Sequence, residues 1–468
     1  MDDSGIFAGL DIGTSTVKVI IAEYINNQIN IIGYGNAPSA GLSRGVIVDI
    51  DQVVGAIQSA VKEAEQRSGK TISEVTVGIP ANMLQIERCR GVIAVSLAGD
   101  SASKEITSND VWRVTQAALV QNLPPEREVI DIIPEEFIVD GFDGIQDPRG
   151  MLGVRMEMDG VMYTGPKTIV HNVKKCIERA GLEVNGTVVM PLAVADVALT
   201  DDERDFGAVT IDIGGGQTTA AVIHDHQLKY TYVDQEGGDF VTRDISVVLN
   251  TSIESAELLK QNYGYADTTM ASKDDVFPVQ VVGQQEPQQI TEEYLAEIIE
   301  ARLEQIFEKL RDELEQVDAL SLPGGVVLTG GTAALPGIKE LAEDVLDVNV
   351  RVYVPQEMNL RDPKFAGVLG LTQYIARQRG VDRIVKDALA SDNFQEQPLD
   401  EGAEESSSTE IEERHPRPFR PFQSRKQGNE PVREVASKQP KESGTSKIGT
   451  LFHRWWQKLS EFFERAMD

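Results

Sequence analysis

The sequence predicts a two-lobed α/β fold with duplicated sheet-and-helix cores. Three observations predict it. Residues 8–21 (AGLDIGTSTVKVII) read as a buried strand ending near Asp11, a tight turn of Gly13, Thr14, Ser15 and Thr16, and a second strand from Val17. Residues 210–223 (TIDIGGGQTTAAVI) repeat that order, with Asp212 at the strand end and a turn of Gly214, Gly215 and Gly216. Each copy then leads through a second turn, Asn26-Asn27 or His224-Asp225-His226, into a third strand. A duplicated unit in a chain of 468 residues, too long for one small core, points to two similar lobes facing each other.

Composition narrows the function classes. Hydrophobic residues make up 41 %, enough for a sizeable core, and the net charge of −31 lacks the basic footprint of a nucleic-acid binder. The two cysteines, Cys89 and Cys176, have no metal-ligand spacing, and so few cysteines fit a reducing compartment. The opening MDDSG has neither the basic nor the apolar region of a signal peptide. No apolar run approaches the roughly 20 residues of a membrane-spanning helix.

Between the copies, the spacing of Val53, Val54, Ile57 and Val61 predicts a helix over 51–67, ended by Gly69. A strand, EVTVGIP, follows. Gly69-Lys70-Thr71 is not a Walker loop, because Ala64 stands where a glycine is required and a helix precedes it. Residues 85–164 change texture. Strands over 91–97, 129–139 and 153–158 surround one helix over 108–123, which Pro124-Pro125 stops, as in a small α+β insertion with its own core. A helix over 169–180, the strand VNGTVVMPL and a helical segment over 193–199 lead to the second copy.

Beyond it, Gly237-Gly238-Asp239 precedes a helix over 241–249, and 255–263 reads as helical with Glu257 and Lys260 about a turn apart. Loops and a strand fill 271–289. A long helix over 292–315 carries Leu295, Ile299, Leu303, Ile306, Leu310 and Leu314 on one face. A buried strand then ends in Gly330, Gly331 and Thr332, with a helix expected from Pro336. Order is expected to fade past Gly380. Residues 395–446 lack apolar periodicity and read as a disordered linker, acidic first and then basic. Periodicity returns over 447–468, where Ile448, Leu451, Phe452, Trp455, Leu459, Phe462, Phe463 and Met467 form one apolar stripe, Trp456 adjoins it, and Arg454, Lys458 and Arg465 lie off it, with Lys447 at the start. An aromatic face flanked by cations suits an in-plane helix on anionic lipid.

The chemistry gathers at the glycine turns. Asp11 and Asp212 sit at matching strand ends, where carboxylates can hold a hydrated Mg2+. The turns Gly13, Thr14, Ser15, Thr16 and Gly214, Gly215, Gly216, Gln217, Thr218 can clamp a phosphate chain between them. Lys18 either reaches a phosphate oxygen or is a solvent-facing strand lysine. Gly330, Gly331 and Thr332, with Gly237, Gly238, Glu257 and Lys260, are the candidates for the adenosine end of ATP.

This pattern resembles the actin, Hsp70 and sugar-kinase superfamily, with phosphate 1 at 8–21, phosphate 2 at 210–223 and the adenosine motif at 326–338. Within it the chain resembles the bacterial cell-division FtsA family, through DIGTSTVKV, the α+β insertion, DPKFAGVLGL over 362–371 and the charged linker ending in an amphipathic helix. The resemblance implies an actin-like ATPase fold in subdomains: 1A over 1–84, 165–199 and 362–380; 1C over 85–164; 2A over 200–240 and 311–361; 2B over 241–310. A linker over 381–446 and a membrane-targeting helix over 447–468 follow. It also implies ATP and Mg2+ as cofactors, self-association into filaments, and tethering of the tubulin-like FtsZ, by its C-terminal tail at 2B, to the cytoplasmic face of the membrane at the division site, with 1C open to other division proteins. A residue that positions the attacking water is expected near the first lobe crossover. The stretch VVMPLAVADVAL offers only Asp196, which implies a slow switch. A sugar kinase, an Hsp70-like chaperone and a pilus-assembly ATPase are the competing readings. The first lacks a catalytic-base motif aimed at a sugar, the second a peptide-binding β-domain, and the third such a terminal helix.

Overall fold

The structure, a computed structural model, describes residues 5–25, 28–95, 103–120, 123–378 and 380–390. The turn at Asn26 and Asn27, residues 96–97 and 121–122 of two expected elements, and the whole of 391–468, with the aromatic stripe, lie outside the described residues.

The chain opens with an antiparallel meander, β1 (Gly5–Ile12), β2 (Thr16–Ile25) and β3 (Gln28–Pro38), followed by a short hairpin of β4 (Leu42–Ser43) and β5 (Val46–Ile47). Helix α1 (Ile50–Ser68) starts where the Asp49 carboxylate accepts from the Gln52 N–H and stops at Gly69, whose φ of 67° few other residues adopt. Its buried face is Val53, Ala56, Ile57, Ala60, Val61 and Ala64, at the expected 3–4 residue spacing. Strand β6 (Glu74–Ile79) then pairs parallel with β1.

Residues 85–166 build a second sheet from β7 (Gln85–Ala94), β9 (Arg127–Val139), β10 (Phe142–Ile145) and β12 (Arg155–Pro166), in the order β10-β9-β12-β7. Between them lie the short strands β8 (Lys104–Glu105) and β11 (Leu152–Gly153) and helix α2 (Ser108–Leu119). Strand β12 runs eight residues beyond the expected end at 158, because it pairs with β7 on one side and β9 on the other almost throughout.

Helix α3 (Lys167–Arg179), β13 (Glu183–Val189), α4 (Met190–Ala198) and α5 (Asp201–Phe206) complete the first half. The expected strand through Leu192 stops at Val189 instead: Pro191 sits in the first turn of α4, where the missing N–H costs nothing. The second half repeats the opening with β14 (Ala208–Ile213), β15 (Thr218–His224) and β16 (Gln227–Asp234), then α6 (Gly238–Val248) and α7 (Ile253–Tyr263). The hairpin β17 (Val276–Val279) and β18 (Gln288–Thr291) replaces the expected loops-and-strand. Next come α8 (Glu292–Gln316), β19 (Val326–Thr329), α9 (Ile338–Leu346) and β20 (Val350–Val352). A 3-10 turn, Gly331–Ala334, separates β19 from α9, which therefore starts two residues after Pro336.

The duplication extends to whole sheets. One sheet runs β3-β2-β1-β6-β13 and the other β16-β15-β14-β19-β20; in each, three antiparallel strands are followed by two parallel ones. One apolar core, around Leu10, Val19, Ile57 and Val77, fills the first half and runs on to Ala221, Ile223 and Val327 of the second sheet; another, around Ile211, Ile245, Leu303 and Leu328, fills the second half.

Helix α10 (Ala366–Arg377) returns to the first half, where Thr372 meets Gly9 of β1. Order does not fade at Gly380. Helix α11 (Val381–Ala390) buries Val381 and Val385 in the core of the inserted sheet, among Val111, Val114, Ile132 and Met158. Gln116 donates to the Ala388 carbonyl, and Lys386 pairs with the fully buried Asp131.

Candidate functional site

The two strand-end turns have the same backbone. Gly13 N–H donates to the Thr16 carbonyl at 3.1 Å, and Gly214 N–H donates to the Gln217 carbonyl at 3.0 Å. The antiparallel register sets Asp11 opposite Lys18 and Asp212 opposite Thr219. Lys18 is therefore buried, and its Nζ donates to Asp11 Oδ2 at 3.0 Å; it is not the solvent-facing strand lysine of the second expectation. Asp212 has no cation opposite it. Burial first, and then the Asp11 charge, push its carboxyl up to about 6, with Lys18 acting in the other direction.

Two carboxylates from the two halves thus feel each other's charge. A hydrated divalent cation would relieve that repulsion. No group of three or more acids, histidines or cysteines among the described residues can cage a metal. The pair fits Mg2+, which takes one or two carboxylates and draws its other ligands from water and phosphate. Asp11 and Asp212 are the residues that would hold it.

The turns also touch. A Cβ built on Gly215 would lie 1.9 Å from Ser15 Oγ, and one on Gly216 would lie 2.7 Å from Thr14 Oγ1. Side chains of the first turn fill the space that side chains of the second would need. The N-terminus of α6 closes on the same place: Gly238 N–H donates to the Gly214 carbonyl and Asp239 N–H to the Gly215 carbonyl, both at 2.9 Å. Gly237 abuts these carbonyls too.

The residues expected at the adenosine end gather beside this turn. Thr332 Oγ1 donates to the Gly214 carbonyl at 3.1 Å. Lys260 Nζ donates to the Gly238 carbonyl at 3.0 Å and to Thr242 Oγ1 at 2.8 Å, and pairs with Glu257 at 2.7 Å. Burial pushes the Glu257 carboxyl up, but Lys260, Thr242 and Gln261 outweigh it and hold it low. Gly330, with φ 94°, lies where an added Cβ would stand 2.3 Å from Asp212 Oδ1, and Gly331 follows it with more space. Thr218 turns its hydroxyl to the Glu236 carbonyl at 2.8 Å.

Two expected residues go elsewhere. The Gln217 side chain packs on Gly45 in the β4–β5 hairpin of the other half, with Oε1 buried and without a hydrogen-bond partner. Asp196, the only acid of the crossover stretch, is tied to Arg204 at 3.1 Å and to Arg377 at 2.9 Å. Sequence reasoning missed Asp239 and the contact of Arg44 with Phe240, 5.7 Å from guanidinium to ring centroid. Asp239 carried a signal in the preceding glycine pair; Arg44 carried none.

Matched five-stranded sheets, each with a glycine turn after an aspartate, make this an actin-like two-lobed α/β protein. A solved PilM–PilN type IV pilus biogenesis complex shares the fold, with a TM-score of 0.54 and 18 % identity over 80 % of this chain and 99 % of that one. Residues 209–370 match the family model described as cell division protein FtsA, and 82–164 match the SHS2 domain inserted in FtsA. A cell division protein FtsA of Enterococcus faecalis is 57 % identical over 83 % of this chain and 88 % of its own length; one from Escherichia coli is 31 % identical over 80 % and 90 %. The chain belongs to the FtsA family of cell-division proteins.

Proposed function

We propose that the chain is a nucleotide-gated adaptor, binding ATP with Mg2+ between the two turns and tethering FtsZ to the cytoplasmic face of the membrane at the division site. The observation that carries the nucleotide reading is the charge-coupled pair Asp11 and Asp212 beside two touching glycine turns. In this reading the Gly13–Thr16 and Gly214–Thr218 backbones and hydroxyls bind the phosphates, Lys18 orients Asp11, and Lys260, Glu257 and Thr332 line the nucleoside end. With Asp196 held by two arginines, turnover is slow and the nucleotide acts as a switch.

The adaptor role draws on the family and the sequence. Residues 241–310 serve as subdomain 2B and receive the FtsZ tail; Val247, Ile253, Leu258, Val276 and Val282 are exposed there, apolar surface suited to a partner segment. The chain self-associates, and the inserted 1C subdomain, 85–164, meets other division proteins. The stripe at Leu451, Phe452, Trp455, Trp456, Leu459, Phe462 and Phe463 binds anionic lipid weakly in one copy and strongly in an assembly of many. Deleting 447–468 abolishes co-sedimentation with anionic liposomes and leaves Mg–ATP binding intact. A truncated chain that still pellets with the liposomes contradicts the tether.

A further inference from the structure

We infer that Asp239 sets the preference of the cleft between a nucleoside triphosphate and a diphosphate, by occupying the Ser15 hydroxyl that a terminal phosphate would take. The inference rests on the reading that the two turns hold a phosphate chain. Ser15 stands in the first turn and Asp239 in the first turn of α6, in the opposite half. The Asp239 carboxylate accepts from the Ser15 hydroxyl across the cleft. The point where a Cβ on Gly215 would stand lies 1.9 Å from Ser15 Oγ and 2.9 Å from Asp239 Oδ1, so acid, hydroxyl and second turn converge. The Asp239 backbone is pinned by its N–H bond to the Gly215 carbonyl at 2.9 Å.

An acid in the first turn of a helix ordinarily serves its own helix dipole. Here the carboxylate reaches the other half instead. Lys260 and Arg243 both lie near enough to favour the Asp239 charge, but Lys260 is already paired with Glu257 at 2.7 Å, so that favour is shared. A phosphate that takes the Ser15 hydroxyl must displace this carboxylate and remain beside it. A like charge 4 Å away costs about fivefold in affinity in bulk water and more in a partly dry cleft. A diphosphate brings less charge to that point and is penalised less.

The test titrates Mg–ATP and Mg–ADP into the full chain by calorimetry. Asp239→Asn keeps the size and the bond to Ser15 but removes the charge. It tightens ATP about tenfold and changes ADP by less than about twofold. Asp239→Ser, which keeps a polar oxygen in the first turn of α6 but cannot span the cleft, moves the ratio in the same direction. A merely structural role moves both nucleotides together. Equal shifts for ATP and ADP, or no shift in ATP, overturn the inference while leaving the clamp standing. A wild-type chain that binds neither nucleotide overturns the clamp and the inference together.

Discussion

The two strand–turn–strand copies share a backbone and differ in almost every side chain that matters. The first turn carries hydroxyls, Thr14, Ser15 and Thr16; the second carries Gly214, Gly215 and Gly216. The first aspartate has a buried lysine opposite it, and the second has a threonine. The difference teaches that two copies of one turn fit together by asymmetry. Ser15 and Thr14 reach into space that exists only because Gly215 and Gly216 lack side chains. One aspartate is paired with a lysine of the neighbouring strand, while the other is left with a charge that a cation or a proton must answer.

Changing each copy in turn breaks or sharpens that contrast. Lys18→Met leaves Asp11 as a partly buried charge without its cation, and should cost about 2 kcal/mol in urea melts. Thr219→Ala, at the matching place, should cost under about 0.5 kcal/mol. Gly215→Val drives a branched side chain into Ser15 and should weaken Mg–ATP about 100-fold, near 2.7 kcal/mol, by calorimetry. Adding Ser15→Gly should recover part of that loss, because the clash is between those two positions.

Asp212→Asn tests the uncompensated charge. Its carboxyl is raised from 3.8 to about 6, so the fold favours the protonated form. That contribution is full below pH about 4 and is lost as pH rises through about 6. Between pH 5 and 8 the wild type should therefore lose about 1.4 kcal/mol more than the asparagine variant, in denaturant melts across that range. The same variant should weaken the Mg2+ dependence of ATP binding. Thr332→Ala removes one hydroxyl bond to the Gly214 carbonyl and should cost about 1 kcal/mol, read as a small drop in melting temperature.

Much of this asymmetry was legible in the sequence. The repeated DIG fixed both turns, and the apolar runs around them marked buried strands. The Lys18–Asp11 pair was implicit in the register: a four-residue turn after Ile12 places residue 18 opposite residue 11. Neither a phosphate-reaching nor a solvent-facing Lys18 takes account of that pairing. Helix α11 was missed for another reason. Val381, Ile384, Val385 and Ala388 have helical spacing, but the residues that bury them, such as Val111 and Ile132, are some 250 positions away and nothing local announces the contact. The apolar run VNGTVVMPL reads as one strand through Leu192, but Pro191 lies in the first turn of α4, where its missing N–H costs nothing. Asp239 was visible but unweighted, because its partner Ser15 lies in the other half of the fold.

Hydrogen exchange of the two turns, with and without saturating Mg–ATP, tests the clamp most directly. Nucleotide held between both copies should slow amide exchange in residues 9–18 and in residues 210–219 alike. Protection of one copy alone, or of neither while ATP is bound, would contradict a clamp built from the pair.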